Sequence, residues 1–339
     1  MKTYFIADIA ANHDGQIERA LELCKLAKQS GADAVKFQHF KAETIVSKKG
    51  FESFKSQKSH QSNWKKSVFE VYNNASVPLD WTKEIKSYCD ELKIDFFTTP
   101  YDLNYVDELD KYVSMYKIGS GDITWKKMLS KVASKGKKVM IATGASTIFE
   151  VQRAMDLLLK YNIPIVLMQC NTNYTASDEN FKFINLNVLK TYSNLYPDVE
   201  LGLSDHTFGH ETVLGAVTLG ARYIEKHFTD DNNRDGPDHP FSMNPSTWKA
   251  MVESTRKIEY ALGETIKKVE ENEKETIIIQ RRSIRSNKTL NKGHAIKESD
   301  LVYLRPCSTD GLDPFEEIIG RVVKKEIREN DEIKLGDLE

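Results

Sequence analysis

Short runs of β-branched and aromatic residues recur along the chain, and each is followed by a stretch in which apolar positions return every three or four residues. The strand-like runs are Tyr4 to Asp8, Ala34 to Gln38, Asp95 to Thr99, Met115 to Ile118, Val139 to Thr143, Ile165 to Cys170, Val199 to Ser204 and Tyr223 to Phe228. Between them lie amphipathic segments such as Ile17 to Gln29, Trp81 to Leu92, Ile148 to Lys160 and Trp248 to Leu262. Strand and helix therefore alternate throughout. Eight such units over about 260 residues predict a closed (β/α)8 barrel, the TIM-barrel architecture. A doubly wound open sheet is the alternative, but it usually has fewer strands and a GxGxxG phosphate loop, which is missing here.

Two stretches break the alternation. The connection from Thr44 to Leu79 is long for a βα loop: Ile45 to Ser62 is rich in Lys, Ser and Gln, and a helix-like run follows from Trp64 to Tyr72. Following the second strand, it belongs to the face where barrel enzymes keep their sites, either as a lid or as a solvated insertion. After Leu262-Gly263, the segment Glu264 to Glu275 is nearly all charged or polar, so a boundary is expected there. The division predicted is a barrel over 1–263, a linker over 264–282 and a small C-terminal domain over 283–339. That last part has short strand-like pieces, turns at Lys292-Gly293 and Asp310-Gly311, and little apolar mass, so it is expected to pack on a barrel, its own or a partner's.

Composition narrows the functional classes. The 339 residues carry a formal net charge of −2, which argues against a protein that coats nucleic acid or anionic lipid. No apolar run is long enough to span a bilayer, and the start MKTYFIADIA enters a strand pattern without a basic region and cleavage site, so a cytoplasmic location is the expectation. Cys24, Cys89, Cys170 and Cys307 are scattered, with no CxxC pair, and are expected to be reduced packing residues.

In a closed barrel the strand interiors pack the core, while the C-terminal strand ends converge on one mouth. Here those ends are polar. The first strand ends in Asp8 and runs to Asn12-His13; the second carries Lys36 and Gln38; the third ends at Thr98-Thr99-Pro100. The fourth supplies Lys117, Ser120 and Asp122, the sixth leads to Gln169 and Tyr174, the seventh ends Ser204-Asp205-His206, and the eighth holds Glu225 and His227. His206 and His227, on adjacent strands, could share one metal, with Glu225 and Asp205 close enough to orient the rings or a bound water. Two nitrogens, with water and substrate oxygen completing the sphere, suit Mn²⁺ or Mg²⁺ better than a closed zinc site. The plainer alternative is that each ring is simply a hydrogen-bonded mouth residue. Lys36 and Lys117 lie in otherwise apolar strands, and a buried ammonium is costly without an anion or carboxylate. Three readings stand open: the lysines hold a phosphate and carboxylate together with Ser120, Thr99 and Ser204; they bridge to barrel carboxylates; or one is a Schiff-base nucleophile of a pyruvate aldolase.

At these residues the chain resembles the sialic acid synthase family, the N-acetylneuraminate or nonulosonic acid synthases. The segments that carry the likeness are ADIAANHDG (Ala7 to Gly15), GADAVKFQHFKAE (Gly31 to Glu43), TTP (Thr98 to Pro100), YKIGSGD (Tyr116 to Asp122), TG (Thr143-Gly144), GLSDHT (Gly202 to Thr207), EKHFTD (Glu225 to Asp230) and GPDHPFSM (Gly236 to Met243). The C-terminal part, with SIRSNKTLNKGHAI, LRP and IREND, is similar to that family's antifreeze-like (SAF, β-clip-type) domain. The resemblance implies metal ligation by His206 and His227, with Mn²⁺ expected and Mg²⁺ or Co²⁺ admitted. It implies phosphoenolpyruvate contacts at Lys36, Thr99, Lys117, Ser120 and Ser204, and sugar contacts at Gln38, Tyr174, Asp238 and Arg305. Arg305 would arrive from the other subunit of a domain-exchanged homodimer. The family usually has Glu where this chain has Asp8 and Asp122, and Ser where it has Ala142. The shorter side chains leave room for a bulkier or differently substituted sugar, or for a water.

The reaction so implied joins phosphoenolpyruvate to an N-acyl mannosamine-type sugar, giving a nonulosonic acid and phosphate. The metal would polarise the aldehyde, C3 of the enol would attack it, and water activated by Asp8, Asp122 or Glu225 would add at C2 before phosphate leaves. A 6-deoxy 2,4-diacetamido hexose, leading to a legionaminic- or pseudaminic-type acid, is the alternative acceptor. A Schiff-base aldolase and an inactive sugar-binding barrel are the more distant ones.

Overall fold

The computed structural model describes residues 2–53, 61, 64, 66–175, 177–308 and 315–339. The strands are β1 (Tyr4–Asp8), β2 (Ala34–His39), β3 (Asp95–Pro100), β4 (Met115–Ile118), β5 (Lys138–Ala142), β6 (Ile165–Cys170), β7 (Glu200–Asp205) and β8 (Tyr223–His227). They close into a barrel in chain order, with β1 paired in parallel to both β2 and β8. Register lines up the inward row: Asp8 sits opposite Lys36 on one side and His227 on the other, and Ser204 opposite Glu225. The strands named from sequence are all present, shifted by a residue at several ends.

The helices of this unit are α1 (Ile17–Gln29), α2 (Ala42–Ile45), α3 (Lys48–Glu52), α4 (Val68–Ala75), α5 (Trp81–Leu92), α6 (Leu103–Leu109), α7 (Lys126–Ala133), α8 (Ile148–Leu158), α9 (Val188–Leu195), α10 (Glu211–Thr218) and α11 (Pro245–Leu262). Their ends follow local chemistry. Thr147 and Glu150 cap each other's backbone at the start of α8, and Asn244 with Pro245 starts α11. The long connection after β2 holds α2, α3 and α4. Its last helix begins at Val68 rather than Trp64, because the Ser67–Glu70 capping box satisfies the first free N–H groups there. Residues 54–60, 62, 63 and 65 of that connection, on which the lid and insertion readings fall, lie outside the described residues.

Strand alternation sorts the polar residues of the last two strands onto two faces. Ser204 and Glu225 point into the barrel, where they hydrogen-bond at 3.1 Å. Asp205 and Lys226 point outward beneath the helices, where they pair at 2.5 Å. The chain divides after Gly263 into two compact units. The second, Glu264–Glu339, holds α12 (Lys274–Gln280) and an antiparallel pair of β9 (Ser283–Ser286) and β10 (Leu301–Leu304). It has its own apolar cluster, including Ile284, Leu290, Ile296, Val323 and Leu338, and a buried Asp300 held by Lys288 and His294. Gly293 occupies the left-handed region at the Lys292-Gly293 turn, while Asp310-Gly311 lies outside the described residues. Among the described residues no helix is long and apolar enough to cross a membrane.

Candidate active site

Because every strand runs in the same direction, the C-terminal ends form one rim, and a cavity of about 490 Å³ opens there. Its floor is a charged cluster. Lys36 Nζ lies 2.7 Å from Asp8 Oδ2, 3.3 Å from the Thr99 hydroxyl and 3.7 Å from Glu225 Oε1. Lys117 Nζ donates to the same Glu225 oxygen at 2.6 Å, and Gln38 Nε2 donates to Asp8 Oδ2 at 3.0 Å. All four charged groups are buried. Burial pushes the Glu225 carboxyl up, but Lys117 and Lys36 more than offset this and hold it at about 2. Burial likewise pulls the Lys36 ammonium down, and Asp8 and Glu225 overcompensate, so the amine stays charged. A Schiff-base nucleophile needs a neutral amine, so this environment disfavours that role for Lys36.

Beside the floor stand the two imidazoles, with ring centroids 5.3 Å apart. His206 Nδ1–H donates to the Asn171 carbonyl at 2.8 Å, which leaves Nε2 as the unprotonated nitrogen. Burial, then the neighbouring His227, lowers the His206 pKa to about 3, so this ring is neutral. His227 has its Nε2 3.7 Å from Asp8 and its Nδ1 3.7 Å from Asp238. Among the described residues that Nδ1 is buried without a hydrogen-bond partner, as is Glu225 Oε2. Tyr174 packs against both rings, 4.2 Å from His206 and 6.1 Å from His227, and Phe241 lies 4.9 Å from His227.

The remaining candidates take varied places. Ser120 and Asp122 lie on the short turn after β4 and line the cavity, with the Ser120 hydroxyl accepting from the Gly144 N–H at 2.9 Å. Gly144 has no room for a side chain, since a Cβ would fall 2.5 Å from Thr172 and 2.9 Å from Ser120 Oγ. Burial pushes the Asp122 carboxyl up to about 6, and among the described residues it makes no ion pair. Asp238 lines the cavity and accepts from the Ala11 N–H at 3.1 Å. Thr99 stands behind Lys36 rather than on the cavity wall. Arg305 belongs to the second unit, exposed at the cis Arg305–Pro306 bond.

One sequence expectation needs correction. Asp205 does not orient the imidazoles: its oxygens are taken by Lys226, by the hydroxyls of Thr207 and Thr212 and by the Thr207 N–H. Being one residue from Ser204 on the same strand, it faces the opposite side of the sheet. Glu225 does not touch the rings by hydrogen bond either; it serves the lysines. What fixes His206 is a backbone carbonyl, which no side-chain motif announces. The sequence reading also passed over Phe40, Tyr72, Tyr101 and Phe241, all beyond strand ends, where a single aromatic reads as core.

Residues 23–267 match the NeuB family, and residues 281–339 match the SAF domain. The chain belongs to the NeuB family. It is 34% identical over 337 residues to the N,N'-diacetyllegionaminic acid synthase of Campylobacter jejuni, covering 98% of this chain and 99% of that protein. To the pseudaminic acid synthase of the same organism it is 31% identical over 343 residues, covering 100% of this chain and 97% of the other. Among solved structures it is similar to the N-acetylneuraminic acid (sialic acid) synthetase of Leptospira borgpetersenii in complex with citrate. That likeness has a TM-score of 0.72 and 27% identity, covering 82% of this chain and 90% of that one. All three relatives make nonulosonic acids, and this NeuB-family chain is an enzyme of that carbon–carbon bond-forming class. The barrel and the appended SAF domain are the architecture the sequence predicts.

Proposed function

We propose that the chain condenses phosphoenolpyruvate with the open-chain form of an N-acylated, mannosamine-type amino sugar, releasing phosphate and giving a sialic-acid-like acid. The reading rests on one observation: Lys36 and Lys117, sharing a single Glu225 oxygen, meet His206 and His227 at one rim. The first pair suits the charges of a phosphorylated enol acid, and the second suits a divalent cation. The cation fits the residues present, because His227 Nδ1 is a buried nitrogen without a partner and His206 is held neutral by its carbonyl contact. Among the described residues no three or more of His, Cys, Asp and Glu gather to hold a metal, so the donor set is an open one of two nitrogens. Such a set suits Mn²⁺, with Mg²⁺ or Co²⁺ as substitutes. When bound, the ion would supply Lewis-acid polarisation of the aldehyde oxygen.

The chain's own residues would do the rest. Lys36 and Lys117 take the phosphate and carboxylate of the enol, exchanging part of their hold on Asp8 and Glu225, while Ser120 and Ser204 add hydroxyl donors and Thr99 steadies Lys36. The enol C3 forms a bond to the aldehyde carbon, whose oxygen gains a proton to become a hydroxyl. Water adds at the electron-poor C2 and loses one proton, and the C2–O bond to phosphate then breaks as the new C2 hydroxyl becomes the ketone and passes its proton to the departing phosphate. Asp122 suits the proton acceptor, since burial raises its carboxyl to about 6 and it has no cation partner among the described residues; Asp8 and Glu225, the other candidates, are tied to lysines. Gln38, Tyr174 and Asp238 face the sugar, and a domain-exchanged homodimer acting in the cytoplasm would add the partner subunit's Arg305.

The test is phosphate release and product mass with Mn²⁺, phosphoenolpyruvate and a panel of N-acyl hexosamines. Chelator should abolish release, and His206→Ala should fall far below the parent. No release across the panel would end the proposal. A pyruvate adduct trapped by borohydride on Lys117 or Lys36 would favour the aldolase instead.

A further inference from the structure

Two carboxylates flank the His227 ring, Asp8 3.7 Å from Nε2 and Asp238 3.7 Å from Nδ1. Both are tied to the loop that follows β1. The Ala10 N–H donates to Asp8 Oδ1 at 3.1 Å, and the next N–H, of Ala11, donates to Asp238 Oδ2 at 3.1 Å. To aim two successive N–H groups this way, Ala10 takes a φ of 44°, in the left-handed region that a residue with a Cβ enters at a cost. Such a conformation persists only where its surroundings over-determine it. The fully buried Asn12 side chain supplies that constraint: Nδ2 donates to the Phe228 carbonyl and to the Ser242 hydroxyl, both at 2.9 Å, and Ser242 Oγ donates in turn to the Asp238 carbonyl at 2.6 Å. Asn12 thus clasps the loop after β1 to the loop after β8. A second lock lies just outside it, where the buried His239 ring joins the Thr229 hydroxyl at 2.7 Å to Asp14 at 2.9 Å.

Asp238 is therefore held at both ends, its carboxylate by the Ala11 N–H and its backbone carbonyl by Ser242. On the condensation proposed above, on which this inference rests, Asp238 faces the sugar while the enol lies on Lys36 and Lys117. Those lysines take their aim from β2 and β4, which the clasp does not touch. Asp8 has Lys36 at 2.7 Å and Gln38 at 3.0 Å besides Ala10, so loosening the loop releases Asp238 first. A loop carboxylate fixed in advance loses less freedom when a sugar hydroxyl meets it, and a small displacement of such a group weakens the productive complex. We propose that Asn12 and Ser242 are positioning residues for the acceptor half of the site, acting through Asp238.

The full-length enzyme with Mn²⁺ is given phosphoenolpyruvate and whichever N-acyl hexosamine of the panel above the parent turns over fastest, and phosphate release is followed with each substrate varied in turn. Ser242→Ala should raise the acceptor KM about 3- to 10-fold and Asn12→Ala about 10- to 100-fold, each leaving the phosphoenolpyruvate KM within about twofold of the parent's. Asp238→Asn should itself raise the acceptor KM, and in that background either substitution should add less than about twofold. Should Asn12→Ala fail to fold, Ser242→Ala alone and combined with Asp238→Asn decides the matter. Equal rises in the two KM values, parent-like kinetics in Ser242→Ala or in Asp238→Asn, or effects that multiply in the double variants overturn the inference while the condensation stands. No release from the parent across the panel overturns both.

Discussion

Two buried lysine–carboxylate pairs tie strands of the same barrel together, Lys226–Asp205 between the adjacent β8 and β7 and Lys117–Glu225 across the interior between β4 and β8, and their surroundings separate scaffold from site. On the outer face Lys226 donates to Asp205 at 2.5 Å and to the Thr207 carbonyl at 2.6 Å. Asp205 also receives both threonine hydroxyls on the oxygen that Lys226 takes and the Thr207 N–H on the other, so both its oxygens have partners. On the inner face Lys117 reaches Glu225 at 2.6 Å, yet Glu225 Oε2 has no partner and Lys36 stands 3.7 Å from the shared oxygen. A saturated pair has nothing to offer a ligand. An undersaturated one, beside a cavity, can trade a carboxylate for a substrate anion at little cost.

The contrast can be broken from either side. The largest effect is expected from Lys117→Met, which should lower kcat/KM by about 10³-fold or more with a melting temperature near the parent's. Loss of the fold instead would make the inner pair scaffold too. Lys226→Met should do the reverse, costing about 3–5 kcal/mol in urea unfolding because Asp205 is left buried and uncompensated. Adding Asp205→Asn should recover part of that loss, and any refolded fraction should retain its turnover number.

Smaller effects sharpen the comparison. With its carboxyl raised to about 6 by burial, Asp122 is mostly protonated below that pH and can accept a proton only above it. The rate should therefore rise with pH through about 6, and Asp122→Asn should flatten that limb and lower the plateau by about 10²-fold. A limb unchanged in the variant assigns the proton transfer to another group. Least of all, Thr212→Val removes one hydrogen bond from the saturated outer carboxylate and should cost about 1 kcal/mol with no change in KM.

The barrel was legible because its strands are short apolar runs separated by amphipathic segments, a rhythm no open sheet without a phosphate loop explains well. The cation-and-imidazole floor was legible because Lys36, Lys117, His206 and His227 are polar interruptions at the ends of such runs. Asp205 was misplaced for a physical reason: in Ser204-Asp205-His206 three polar residues stand in a row, and only the observed register tells which face each one takes. The aromatic rings lining the cavity were hidden differently. Phe40 and Tyr101 directly follow β2 and β3, a position that could have flagged them, but Tyr72 depends on where the Ser67 cap starts α4. Orphaned atoms such as His227 Nδ1 cannot be read from a string of letters, since they are defined by what fails to approach them.

Closing the barrel also sets an order of events. Tyr4 pairs with Tyr223 and Asp8 with His227, so the first strand made waits for the last before its second edge is covered. That last strand brings Glu225, the acceptor for both floor lysines, and the second imidazole. A nascent chain halted before β8 would thus carry the Lys117 ammonium without its carboxylate, Lys36 with Asp8 alone, and a sheet edge open to any passing strand. The same final strand that seals the cylinder supplies its missing anion, so an unfinished ring has neither a closed wall nor a working mouth.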